Sequence, residues 1–182
     1  SVVITYPFDG NGGQSIDLSV TAVSVDTSIV KFNSNTPSTA ASDGSPFQIV
    51  NIPAGTLITD GSSILLNFDV LLNRSDVTIN YTMEINGTIL QLVSIINGEI
   101  YTISNLRINR VNNLTVYISG VIVIYAPLSG THRDLIIFNN SFTVNDLTNS
   151  ANTFTLRRGT TYSVSTPNTM QNRFFTMDKF TK

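Results

Sequence analysis

Residues 77–106 read VTINYTMEINGTILQLVSIINGEIYTISNL, and this stretch decides the fold class. Two Asn-Gly pairs, Asn86-Gly87 and Asn97-Gly98, each separate two apolar segments. Asn-Gly supplies the two residues with φ > 0 that a type I′ hairpin turn requires. The spacing therefore predicts a three-stranded antiparallel meander with strands at 77–85, 88–96 and 99–106.

The first strand of this meander predicts one buried and one solvated face, because its apolar and polar residues alternate. The apolar set is Ile79, Tyr81, Met83 and Ile85. A second stretch, 113–126 (NLTVYISGVIVIYA), is apolar on both faces of the predicted strand. One face carries Leu114, Val116, Ile118, Ile122 and Ile124, and the other carries Tyr117, Val121, Val123 and Tyr125. Such a strand is either covered by a second layer of the same chain or lies in a subunit interface.

Short apolar runs bounded by Gly, Pro, Asn or Asp predict further strands on both sides of these stretches. They lie at 2–6, 16–25, 28–32, 47–52, 63–72, 134–144, 152–156 and 161–165. Residues 33–46 (NSNTPSTAASDGSP) are polar and predict one long exposed loop. Composition favours strands throughout, because Thr, Val and Ile are abundant and only two residues are Glu, a good helix former.

We therefore predict one domain over residues 1–182. Its fold class is all-β: an antiparallel two-sheet sandwich with jelly-roll or Greek-key topology and almost no helix. An immunoglobulin-like sandwich and a partly open barrel remain as alternatives, although the Cys…Trp…Cys pattern of antibody domains is missing.

The sequence predicts no enzyme, no cofactor and no metal site. The chain has no cysteine and one histidine, His132, which we expect in a solvated loop. The two glutamates, Glu84 and Glu99, lie at opposite ends of the predicted middle strand, roughly 20 Å apart, whereas glycosidase pairs need about 5 to 9.5 Å. Residues 9–13 (DGNGG), with Asp17, faintly resemble a calcium loop, but we favour a Gly-rich hairpin because the bidentate Glu is missing.

Charge and hydropathy also predict which partners are absent. The net charge is −2, with no basic arm, so we expect no nucleic acid partner. The apolar runs are too short for a membrane span of about 18 residues or more.

Cysteine-free, nearly helix-free chains of this length that are rich in Asn, Thr, Ser and Ile resemble single jelly-roll virion proteins. These are the penton and minor capsid proteins of large DNA viruses, and viral fibre heads. The resemblance is carried by the meander TINYTMEINGTILQLVSIINGEIYTIS, the long strand NLTVYISGVIVIYAP and the loop NSNTPSTAASDGSP. It implies a capsid subunit, located in the virion, that assembles with copies of itself as a pentamer or trimer and with neighbouring capsid proteins.

Two functions from different classes follow. The first is this structural virion role, acting through self-assembly, and the alternative is a receptor- or glycan-binding module of the fibre-head or lectin type. The C-terminal segment 173–182 (RFFTMDKFTK) either packs on its own sandwich or docks on a neighbour. The candidate interface residues are Tyr117, Val121, Val123, Tyr125, Phe174, Phe175 and Phe180.

Overall fold

A computed structural model describes residues 2–5, 15–18, 32–34, 38–40, 42–74, 76–126, 129–161 and 168–180 of the chain. All regular structure within these ranges is β-strand. The strands are β1 (Val2–Thr5), β2 (Ser15–Leu18), β3 (Phe32–Ser34), β4 (Ser38–Ala40), β5 (Pro46–Ile52), β6 (Ser63–Leu72), β7 (Ile79–Ile85), β8 (Thr88–Ile95), β9 (Tyr101–Asn112), β10 (Thr115–Ala126), β11 (Thr131–Thr143), β12 (Asn152–Thr161), β13 (Met170–Asn172) and β14 (Phe175–Phe180).

These strands form an antiparallel sandwich of two sheets, which confirms the predicted fold class. The eight-stranded sheet begins with the order β11-β10-β9-β6. Two short strands, β13 and β14, both pair with the other edge of β6. On their outer sides β13 pairs with β4 and β14 pairs with β3. The four-stranded sheet has the order β5-β12-β7-β8, and β1 pairs with β2 in a separate ribbon. The chain changes sheet at several connections, among them β5 to β6, β6 to β7, β8 to β9 and β11 to β12, and such connections are found in Greek-key sandwiches.

The core lies between the two sheets and is filled by alternate residues of each strand. Phe68 of β6 stacks on Phe175 of β14 at 5.5 Å between ring centroids and meets Phe154 of β12 at 5.8 Å. The hydroxyls of Tyr81 on β7 and Thr102 on β9 form a hydrogen bond across the core at 3.1 Å. Because Tyr81 is fully buried, desolvation raises the pKa of its phenol to about 12.

The two Asn-Gly pairs form different turns. Asn86 and Gly87 have φ of 50° and 80°, so the predicted type I′ hairpin between β7 and β8 is confirmed. At the second pair only Gly98 has a positive φ, 95°, and the Glu99 amide donates to the Ile96 carbonyl at 2.9 Å, which defines a type II turn. The three-stranded meander is therefore wrong. A type II turn splays the strands that it joins, and β9 enters the other sheet between β10 and β6.

Three other sequence predictions need correction. The predicted loop 33–46 contains β4 and most of β3, whose backbones pair with the outer edges of β13 and β14. His132 lies on β11, not in a loop. The strand predicted at 152–156 extends to Thr161, so a separate strand does not begin at that residue. Most of the predicted strands 16–25 and 28–32, and residues 162–165, lie outside the described residues.

The long strand β10 follows its predicted pattern closely. Its inward residues are fully buried: Val116, Ile118, Ile122 and Ile124. Leu114, predicted on the same face, lies in the turn before the strand and is 53% exposed. The other face of β10 points away from the four-stranded sheet, and it forms part of the surface described next.

Candidate functional site

Three aromatic rings lie side by side on the outer face of the eight-stranded sheet. Strand register places Tyr125 of β10 opposite Tyr101 of β9 on one side and His132 of β11 on the other. The ring centroids of Tyr101 and Tyr125 are 5.9 Å apart, and those of Tyr125 and His132 are 6.0 Å apart, with interplanar angles of 32° and 41°. Tyr125 and His132 are exposed and Tyr101 is half-buried. We call these three residues the aromatic row.

Arg173 closes the row beside Tyr101. Its guanidinium carbon lies 4.6 Å from the Tyr101 ring centroid, a cation–π distance. Its Nε donates to the Asp69 carboxylate at 2.6 Å, and the side chain is 43% exposed. Partial burial, followed by the negative charge of Asp69, raises the pKa of Tyr101. The phenol therefore stays protonated and keeps an O–H donor at the surface.

Asp69 fixes the position of Arg173 through the backbone as well. This carboxylate is fully buried on β6 and accepts hydrogen bonds from the backbone amides of Arg173, at 2.8 Å, and Phe174, at 3.2 Å. Asn172 donates its side-chain amide to the carbonyls of Asp69, at 2.6 Å, and Phe174, at 2.7 Å. These bonds hold the junction between β13 and β14, so Arg173 is presented to Tyr101 from a rigid support.

Below the aromatic row the outer face first becomes aliphatic and then polar. Ile103 of β9 pairs with Val123 of β10, and Val121 is the next outward residue of β10. Ile103 and Val121 are 37% and 39% exposed. Beyond them an amide ladder crosses three strands, in which Asn105 donates to Asn67 at 2.6 Å and Asn67 donates to Thr176 at 3.3 Å. The outward side chains at the Tyr125 end of β9 and β10 are therefore apolar, apart from the tips of the rings.

The structure brings three of the predicted interface residues together and separates the others. Val121, Val123 and Tyr125 are neighbours on the outer face, whereas Tyr117 is half-buried towards the other end of β10. Phe180 is 48% exposed and lies on the polar half of the same face. Its ring centroid is 5.7 Å from the guanidinium carbon of Arg107.

Two predicted interface residues belong to the sheet junction and the core. Phe174 is half-buried next to Arg173. Phe175 is fully buried against Phe68 and Phe154, so the structure corrects its assignment to an exposed surface. The reason is that the C-terminal segment adds a strand to β6, and alternate residues of that strand point into the core.

Sequence analysis missed Tyr101, Arg173 and the position of His132. Tyr101 was assigned to the meander, which placed it beside β8 instead of β10. The Asn112-Asn113 pair marks the turn between β9 and β10, but the register that sets Tyr101 opposite Tyr125 also depends on the bulge between Thr115 and Val116. No comparable signal exists for Arg173, which reaches the row only through the pairing of β14 with β6.

The acidic residues considered for catalysis have separate structural partners. Glu84 is buried, accepts a hydrogen bond from Thr82 at 2.7 Å and pairs with Arg157 at 3.1 Å. The carboxylate of Glu99 accepts a hydrogen bond from the Ile96 amide at 2.9 Å and so closes its own turn.

The remaining candidate features are a metal site, a calcium loop and a membrane-spanning helix. The described residues contain no group of three or more His, Cys, Asp or Glu side chains arranged to hold a metal ion. The candidate calcium loop, residues 9–13, lies outside the described ranges. A helix with the length and hydropathy to cross a membrane is likewise not found among the described residues.

The known proteins compared with this chain resemble it weakly. No family model matches the chain, and no curated protein matches it. One similar solved structure is described as "Cell entry of botulinum neurotoxin type C is dependent upon interaction with two ganglioside molecules", with 12% identity and a TM-score of 0.29 over 78% of this chain and 38% of that chain. Another is the botulinum neurotoxin serotype C1 binding domain, with 14% identity and a TM-score of 0.28 over 79% of this chain and 43% of that chain. The chain thus spans about two fifths of each.

Proposed function

We propose that this protein is a non-catalytic recognition module that binds carbohydrate through the aromatic row. The observation that carries the proposal is the set of three rings about 6 Å apart across three adjacent strands, on a face that is partly open to solvent. Aromatic rings offer sugars an apolar face against which their C–H groups stack, and tyrosine adds a polar tip.

The polar groups around the row suit the hydroxyls of a saccharide. Tyr101 and Tyr125 supply phenol groups, His132 supplies ring nitrogens, and Arg173 supplies guanidinium N–H donors. All four side chains are carried by strands or by the junction that Asp69 fixes, so little conformational entropy is lost when a ligand binds.

The test is binding to a panel of neutral and acidic oligosaccharides, followed by titration of the best binder. Tyr125→Ala is expected to weaken that binding about tenfold or more, because it removes the central ring of the row. Tyr117→Ala is the matched control, since Tyr117 is a tyrosine on the same face of the same strand, away from the row. Equal losses in both variants, or no saccharide bound by the wild-type protein, would overturn the proposal.

A second candidate function is the structural virion role, in which the same face packs against another subunit of a pentamer or trimer in a capsid. The exposed aliphatic residues Ile103 and Val121 favour it, because subunit interfaces bury such side chains. Here sedimentation of the wild-type protein is expected to show a pentamer or trimer, and Val121→Asp is expected to dissociate it into folded monomers. A wild-type protein without that assembly, or a Val121→Asp variant that keeps it, excludes this candidate.

A further inference from the structure

Within the described part of the chain, strand β8 forms one edge of the four-stranded sheet. Among the described strands its only partner is β7, so one side of its backbone has no ladder in that part of the chain. Its sequence, TILQLVSI, contains no charge and no proline. Ile89 and Leu92 on this strand are 56% and 51% exposed, and Ile96 directly after it is 48% exposed.

The other sheet edges of the sandwich differ from β8. The sequence of strand β11 contains one Arg and one Asp, and charged residues in an edge strand discourage pairing with another chain. Strand β5 begins with Pro46 and lies against β4 of the other sheet. On β8 the register with β7 shifts at Leu90, which forms a bulge, and Gln91 donates its side-chain amide to the Leu92 carbonyl at 2.9 Å.

We propose that β8 is a self-association edge, at which a second copy of this chain adds its own β8 in antiparallel orientation. The two four-stranded sheets then join into one continuous sheet across a two-fold axis. Charge argues for a second copy, because an uncharged strand can lie against itself without placing like charges opposite one another. The proposed carbohydrate site lies on the other sheet, so this inference is independent of it.

The geometry of an antiparallel pair limits the register. Residues that face one another across two antiparallel strands point to the same side of the sheet. Beyond the bulge, Leu92 and Ser94 are the outward residues of β8, since they pair with Thr82 and Asn80 of β7. Leu92 therefore lies opposite either Leu92 or Ser94 of the second copy, which covers its exposed side chain.

The size of the edge sets the expected strength. One strand of eight residues with two exposed aliphatic side chains buries less than the roughly 800 Å² per partner that is typical of tight complexes. We therefore expect a reversible dimer with a dissociation constant in the micromolar range, rather than a permanent dimer.

Sedimentation velocity over a series of micromolar concentrations measures this dimer directly. Leu92→Lys is expected to raise the dissociation constant about tenfold or more, because in either register it places one positive charge per copy at a position that the second copy covers. Leu114→Lys is the matched control, because Leu114 is an equally exposed leucine, at 53%, in the turn between β9 and β10. A wild-type protein that stays monomeric, or an equal effect of both variants, overturns the proposal.

Cross-linking gives a second measurement, because it traps the dimer as it forms. The chain has no cysteine, so an introduced thiol reports only contact between copies. Leu92→Cys alone tests the register with Leu92 opposite Leu92, and a mixture of Leu92→Cys and Ser94→Cys tests the register with Leu92 opposite Ser94. One of the two is expected to form a disulfide-linked dimer under mild oxidation much faster than Leu114→Cys. Rates equal to that of Leu114→Cys in both cases would contradict the proposed edge, whether or not any carbohydrate binds.

Discussion

The two faces of the eight-stranded sheet follow the same alternation but have different chemistry. On the inner face of β10 four β-branched aliphatic residues have no exposed surface. They are Val116, Ile118, Ile122 and Ile124. On the outer face the same strand carries Val121 and Tyr125, which are 39% and 38% exposed. Alternation therefore explains the fold, whereas the residue types on the outer face determine what the protein can bind.

The largest expected difference between the two faces comes from adding one charge to each. Ile122→Asp buries an unpaired carboxylate, so it is expected to destabilise the protein by about 4–5 kcal/mol or more and to prevent folding. Val121→Asp, one residue earlier, is expected to stay folded and lose about 1 kcal/mol at most. Circular dichroism with chemical denaturation measures both. If Val121→Asp also unfolds, the outer face is covered and is not a binding surface.

A smaller difference is expected for two phenylalanines of β14. Phe175→Ala removes a ring buried against Phe68 and is expected to lower the free energy of unfolding by about 3–5 kcal/mol. Phe180→Ala removes an exposed ring over Arg107 and is expected to cost less than about 1 kcal/mol. Urea denaturation gives both values. Similar losses in the two variants would mean that β14 does not alternate between core and surface.

The smallest effect is confined to alkaline solution and concerns Tyr81 on the facing sheet. Its folded-state pKa of about 12 lies above the ordinary value of 10.0, so the unfolded chain releases this proton first. The stabilisation is fully present below pH 10 and is lost as pH rises towards 12, by about 2–3 kcal/mol. Tyr81→Phe is expected to show a flatter alkaline dependence of unfolding free energy than the wild-type protein. Parallel curves for the two proteins would show that this phenol is not buried in the folded state.

Much of the fold follows from local patterns in the sequence. The bounds of β6 and β10 are predicted almost to the residue, because each is a long apolar run between turn residues. The pairing of strands is harder to predict. Asn86-Gly87 joins two strands of one sheet, whereas Asn97-Gly98, with the same two residue types, joins strands of different sheets. Dipeptide chemistry allows both turns, and packing against β6 and β10 decides between them.

The candidate site was predictable only in part, for the same reason. Tyr125 and the outward row of β10 follow from alternation within one strand. The partners of Tyr125, however, come from β9, β11 and the junction before β14, so they are known only when the strand order is known. Polar strands such as β4 were missed because their contribution is backbone pairing, which leaves no apolar pattern.

The position of β6 has a consequence for the kinetics of folding. The Arg173 amide that binds Asp69 lies 104 positions further along the chain, and Phe68 meets Phe175 over a similar separation. During synthesis, β6 therefore emerges long before the strand that completes its far edge. Closing so large a loop is slow, and until it closes the hydrophobic strand β6 can pair with the wrong partner. We expect this protein to refold slowly and to depend on dilution or a chaperone until β14 is in place.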